Sequence, residues 1–183
     1  MNKLKVIGIS GSIRKRSYNT ALIKNAADIS KEYMDIELYD ISNLPFYNND
    51  QEKEGMPEEV EKFRSALTVT DALLFALPEY NASVSGILKN AIEWASRSVS
   101  PLSEKPCAIM GASGGLSGTA GAQTYFRNIA VSVNMYCMNK PTLQIRKCSS
   151  VFDDYLVIKD EATFEQLNKF MKAFENWILK FTS

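Results

Sequence analysis

The chain has 183 residues, with Lys+Arg and Asp+Glu both at 21, 45% hydrophobic and 23% charged side chains, and no histidine. That length suits one domain, residues 1–183, burying roughly 70% of its unfolded surface, and the balanced charge offers no field to draw nucleic acid or an anionic membrane. Without histidine no Ser-His-Asp triad, Cys-His pair or His-ligated metal is available, so no metal site is expected.

Lys3 to Ser10 (KLKVIGIS) joins β-branched and apolar positions and breaks at Gly11-Ser12, which predicts a first, buried strand. After the loop SIRKRSYN, the residues Leu22, Ala26, Ile29 and Tyr33 recur at helical spacing from Asn19 onward, with Lys24, Asp28 and Lys31 on other faces. This pattern predicts a helix packed on a sheet. Met34 to Tyr39 (MDIELY) alternates as a second strand. ISNLPFYNNDQEKEGMPEE then carries Pro45, Pro57 and many turn formers, and predicts a long irregular connection of the kind that is often functional. Pro57 with Glu58 and Glu59 opens a helix running to about Val69, because proline suits the first turn and acidic side chains suit the positive end of the helix dipole.

Asp71 to Leu77 (DALLFAL) is near-continuously apolar, as in a strand covered on both faces. The following helix places Val84, Leu88, Ala91 and Ala95 on one side and Lys89, Glu93 and Arg97 on the outside. Lys105 to Ala112 is a fourth strand, followed by a glycine-rich loop and a helix from about Thr119 to Val133. Met135 to Met138 and Thr142 to Ile145 flank Pro141 as an interrupted fifth strand. The closing helix, Glu161 to Phe181, repeats Phe164, Leu167, Met171, Phe174, Ile178 and Phe181 at spacings of three and four. Strands alternating with helices imply a parallel α/β sheet with helices on both faces.

The three cysteines, Cys107, Cys137 and Cys148, lack metal-ligand spacing and stand in or beside apolar segments, so they read as structural thiols of a reducing compartment. No run approaches the ~20 apolar residues of a membrane span, and no leader-like pattern opens the chain; a cytoplasmic protein is expected.

In a doubly wound sheet, ligands bind beyond the carboxyl ends of the strands. The first such loop, GSIRKRSYN, lacks the dinucleotide fingerprint, since Gly8 and Gly11 do not give G-x-G-x-x-G, and we read no acidic residue at the ribose position ending strand two. It lacks the Walker Gly-Lys-Ser/Thr as well. It offers Ser10, Ser12, Ser17 and Asn19 with Arg14 just before a helix N-terminus, which suits a phosphate monoester. It equally suits a capped helix start beside a solvated charge. The third loop, Pro78-Glu79-Tyr80-Asn81, passes alone for a turn with Ser83 or Ser85 as cap. The fourth, GASGGLSGTAG, permits close approach of backbone to a ligand. Together the loops suit a mononucleotide carrying a flat ring.

GSIRKRSYN, LPFYNND, LPEYNASVSGILKNAIEWASR and ASGGLSGTAGAQTYFRNI, taken in that order, resemble the NAD(P)H-dependent FMN reductases of the flavodoxin-like fold, the group that includes quinone, azo-dye and chromate reductases. The resemblance covers about Lys3 to Lys140 and is weak from Pro141 onward. It implies a five-stranded parallel sheet of order 2-1-3-4-5 and bound FMN. By position, Ser10, Ser12, Arg14, Ser17 and Asn19 would hold the phosphate. Pro78, Glu79, Tyr80 and Asn81 would line the ribityl chain and ring, mainly through backbone and the Asn81 side chain. Ser113, Gly114 and Gly115 would pass beside the isoalloxazine. Ser85-Gly86 replaces the usual Pro-Gly, and Glu93 replaces a frequent Asp.

The resemblance implies hydride transfer from NADPH or NADH through FMN to a small acceptor such as a quinone, azo compound or free flavin, with no catalytic side chain required. It also implies a homodimer or homotetramer, with Phe46, Tyr47, Tyr125 and Arg127 as candidates for a wall of the site or for acceptor contact, and packing or plain surface as the alternative for each. A flavodoxin-type electron carrier is the rival, disfavoured by the balanced charge, and a flavin-free module is a second.

Overall fold

The computed structural model describes residues 3–181. Parallel strands β1 (Leu4–Ser10), β2 (Met34–Tyr39), β3 (Ala72–Ala76) and β4 (Pro106–Ala112) lie in the order β2-β1-β3-β4, and the short β5 (Tyr136–Cys137) completes the path as β2-β1-β3-β4-β5. This is the flavodoxin-like order expected. The fifth position is shared: β5 pairs with the start of β4, and a separate β6 (Leu143–Ile145) pairs with its end. The interruption lies at the cis Lys140–Pro141 peptide.

Apolar β3 shows why both faces must be covered. Ala72, Leu74 and Ala76 point into one layer with α1 (Tyr18–Ser30) and α7 (Glu161–Ile178), while Leu73 and Phe75 point into the other. That second layer holds α3 (Glu58–Thr68), α4 (Gly86–Ala95) and α5 (Ala120–Ser132). Along α7 the buried stripe is Leu167, Phe170, Met171, Phe174 and Ile178, and each such side chain removed from water contributes about 1.5–3 kcal/mol. Phe164 falls off the expected stripe at 45% exposure. Phe181, beyond the helix, stacks on Tyr136 at 4.6 Å instead.

The connection after β2 is less irregular than its composition suggests. It carries a helix, α2 (Asn49–Glu54), capped by the Asn48 side chain. A last single-turn helix, α6 (Cys148–Val151), follows β6. Asp40 stands directly after β2, which corrects the reading that no acidic residue ends that strand; its carboxylate accepts the Ser42 N–H at 2.9 Å. The loops after β1, β3 and β4 emerge together at the carboxyl edge of the sheet. Among the described residues, no helix is long and apolar enough to cross a membrane.

Candidate functional site

Those three loops enclose a cavity of about 260 Å³. From the first loop it is lined by Ser12, Arg14, Ser17 and Asn19; from the third by Pro78, Glu79 and Tyr80; from the fourth by Ser113 and Gly114. Ser10, Asn81 and Gly115, also expected at the site, lie off it, and each has another occupation. Ser10 is buried, and its Oγ accepts the Ser12 N–H at 3.2 Å and the Thr20 hydroxyl at 3.0 Å, folding the loop on itself. The Gly115 carbonyl accepts the Lys147 N–H at 3.3 Å.

Asn81 has a backbone reason for its identity. Tyr80 and Ser83 exchange backbone hydrogen bonds of 3.2 and 3.0 Å, and the two residues between them, Asn81 and Ala82, have φ of 50° and 58°. Positive φ at both central positions makes a type I′ turn, where asparagine is favoured because it tolerates the left-handed region. The Asn81 side chain is therefore exposed at the tip of a turn.

Within the first loop, Ser17 caps α1 by accepting the Thr20 N–H at 3.2 Å. The Asn19 side chain, 4% exposed, reaches across to the last residue of β4. Its Nδ2 donates to the Ala112 carbonyl and its Oδ1 accepts the Ala112 N–H, both at 3.0 Å. Helix α1 is thus clamped to the strand that feeds the glycine-rich loop. Arg14, by contrast, has no hydrogen bond or ion pair among the described residues, and is a cation at the cavity with its donors unassigned.

Glu79 binds the third loop to the fourth. Its Oε2 accepts the Ala122 N–H at 3.0 Å, in the first turn of α5, and its Oε1 accepts the Ser117 hydroxyl at 3.2 Å. Close approach dictates two glycines. A Cβ on Gly11 would stand 2.8 Å from Pro78 Cδ and 2.9 Å from Ser85 Oγ, and one on Gly111 would overlap Thr119 Oγ1 and lie 2.6 Å from the Leu77 carbonyl. Two buried hydroxyls, that of Ser113 in the cavity lining and that of Ser85 beside Gly11, have no partner.

The cavity also takes Tyr18, Ala112, Cys148 and Ser149, which were not foreseen. Tyr18 and Ala112 lie in segments already singled out, whereas Cys148 and Ser149 follow β6, where the residues carry no recognisable pattern. The Cys148 N–H donates to the Ser113 carbonyl at 3.0 Å, holding the two segments together, and burial pushes its thiol up. The wall candidates do not reach the cavity. Tyr47 packs edge-on against Trp94 at 5.0 Å and donates to Glu52 at 2.8 Å; Phe46 is 84% exposed. Tyr125 is half-exposed, and Arg127 folds onto Met138 and Asn139.

A family model described as NADPH-dependent FMN reductase matches residues 4–149. The chain belongs to the NADPH-dependent FMN reductase family. An NAD(P)H-dependent FMN reductase of Pseudomonas aeruginosa is 44% identical over 176 residues, covering 96% of this chain and 95% of that protein. An NAD(P)H:quinone oxidoreductase of Solanum tuberosum is 40% identical over 183 residues, covering 97% and 94%. Among solved structures, the flavoenzyme NAD(P)H:(acceptor) oxidoreductase FerB from Paracoccus denitrificans superposes with a TM-score of 0.91 at 33% identity, covering 97% and 98%. Membership extends the likeness past Pro141 to Ser149, the segment that supplies Cys148 and Ser149 to the cavity.

The residues present fit the cofactor of an FMN reductase. The cavity presents hydroxyls and a free guanidinium at a helix N-terminus, the donor set for a phosphate monoester. The unpartnered Ser113 Oγ in the cavity lining is a polar atom for which the protein alone supplies no bond. Among the described residues there is no group of three or more Cys, Asp or Glu able to hold a metal ion.

Proposed function

We propose that this cavity holds FMN, with its phosphate on the first loop and its ring along the third and fourth, and that the protein is an NAD(P)H-dependent oxidoreductase delivering electrons to a quinone-type acceptor. The observation that carries this reading is the unengaged Arg14 guanidinium facing a cavity built from three post-strand loops of an FMN reductase. Bound FMN supplies the redox chemistry, accepting hydride from the nicotinamide and passing electrons to the acceptor.

The chain's own residues bind and orient. Arg14, Ser12 and the first-turn N–H groups of α1 hold the phosphate against the positive helix end. The Asn19 clamp fixes how far that helix end stands from the glycine-rich loop. Pro78 and Tyr80 offer apolar surface to a flat ring, and Ser113 Oγ offers a hydrogen bond at its edge. Glu79 keeps the ring-side loops in register through α5. No side chain needs to move a proton for binding, which accords with a chain lacking histidine.

Exposed apolar side chains, among them Phe46, Val99 and Val131, support assembly as a homodimer or homotetramer. Three free cysteines support a reducing, cytoplasmic setting. The deciding experiment titrates the purified protein with FMN and measures NADH and NADPH oxidation with and without benzoquinone, alongside light scattering for the assembly. Stoichiometric FMN binding and quinone-dependent turnover are expected. Failure to bind FMN overturns the reading; binding without nicotinamide turnover reduces it to an electron carrier.

A further inference from the structure

At the opposite end of β4 from the cavity, two thiols and a guanidinium meet. Cys107 and Cys137 are direct partners in the β4–β5 ladder, and both side chains enter the layer that holds α5. Neighbouring strands lie about 4.7–4.9 Å apart, inside the roughly 4.4–6.8 Å Cα separation that a disulfide requires. Arg127 Nη1 lies 3.5 Å from Cys137 Sγ and is anchored by the Met138 carbonyl and Asn139 Oδ1, both at 3.1 Å. Cys107 is fully buried, whereas Cys137, on the terminal strand of the sheet path, is only partly so.

We propose that Cys107 and Cys137 form a reversible redox pair that responds to hydroperoxides, Cys137 being the reacting thiol and Cys107 the resolving one. The asymmetry follows from the surroundings. Interaction with the adjoining Cys107 thiol, together with the Arg127 charge, holds the Cys137 thiol below the ordinary cysteine range, while the same neighbour and burial push Cys107 up. The thiolate of Cys137 attacks the peroxide oxygen; an S–O bond forms, the O–O bond breaks, and the leaving oxygen takes a proton as alcohol or water. The Cys107 sulfur then attacks the Cys137 sulfenic acid. An S–S bond forms, the S–O bond breaks, and hydroxide leaves with the Cys107 proton as water. Two thiols lose two electrons and one hydroperoxide gains them. The bond staples β5 to β4 and closes the loop carrying α5, and a thiol reductant reopens it.

Reduced full-length protein is treated with hydrogen peroxide, quenched with iodoacetamide in denaturant so that buried thiols are alkylated as well, and mapped by mass spectrometry. The expected product is a Cys107–Cys137 linked peptide lacking two hydrogens, restored by dithiothreitol, with Cys148 alkylated throughout. Cys107→Ser should stop at a Cys137 sulfenic acid that dimedone traps, and Arg127→Met should slow Cys137 oxidation severalfold. The wild-type map stands alone if a variant fails to fold. Oxidation of Cys137 no faster than that of Cys148, or conversion of Cys137 to sulfinic acid without linkage to Cys107, overturns the pair.

Discussion

Replacing Asn19 with alanine isolates the clamp between the first helix and β4. In the wild type both amide atoms of Asn19 are bonded to the backbone of Ala112, itself 4% exposed. The substitution strands one buried N–H and one buried carbonyl, each costing about 1–3 kcal/mol, for a sum of about 2–6 kcal/mol. Freeing the asparagine side chain returns about 1 kcal/mol of rotamer entropy. The net expectation is a loss of about 1–5 kcal/mol, or a fall in Tm of roughly 2–20 °C for a domain of this size. Urea unfolding of the FMN-free protein, followed by far-ultraviolet circular dichroism, measures it directly. Asn19→Asp sharpens the test, because it keeps the acceptor for the Ala112 N–H but sets a carboxylate oxygen against the Ala112 carbonyl; it should be at least as damaging. A loss below about 1 kcal/mol for both variants would refute the clamp.

Arg14→Ala removes no hydrogen bond or ion pair among the described residues, so thermal unfolding without FMN should be unchanged while FMN affinity falls by the roughly 1.5–3 kcal/mol of a hydrogen bond to a charged group. A fluorescence titration giving the wild-type dissociation constant would remove Arg14 from the site. Ser85→Pro should stabilise the protein by about 0.4–1 kcal/mol. The φ of −67° at Ser85 already matches proline, and the change removes a buried hydroxyl without a partner; a lowered Tm would refute the fit. The Asp160 carboxyl, held below its ordinary range by the Thr163 hydroxyl and N–H, contributes stability present above the unfolded-state value and lost as pH falls through the lowered native one. Stability curves of wild type and Asp160→Ala should therefore differ at neutral pH and converge in acid; a constant gap across that range would count against the cap.

The elements legible in the residues were those whose burial leaves a pattern. β1, β3 and β4 are runs that only a doubly covered sheet accommodates, and α7 shows its buried stripe at helical spacing. Helix α2 left no such trace because none of its residues is buried; its signs were the Asn48 cap and the acidic first turn. β5 and β6 are too short for periodicity, and the path of the chain there is set by pairing with β4. At the site, serine, arginine and glycine marked the right loops, but their roles depend on distant partners. Nothing near Asn19 in the chain announces Ala112, and the identity of Asn81 is explained by the turn it occupies. Cys148 and Ser149 reach the cavity through tertiary structure alone.

Glu79 has an electrostatic meaning as well as a mechanical one. A carboxylate beside a pocket meant for a phosphate ought to repel its guest. Here it accepts the Ala122 N–H at the start of α5, where the partial positive charge of the helix end opposes its own. Seen from the pocket, the pair presents much less than a full negative charge. Arg14 can then set the sign of the local potential without another basic residue from the third loop. A glutamine at position 79 would uncover that helix end and make the pocket more positive, so it should strengthen the first, diffusive attraction of anions even while it loosens the loop that receives them.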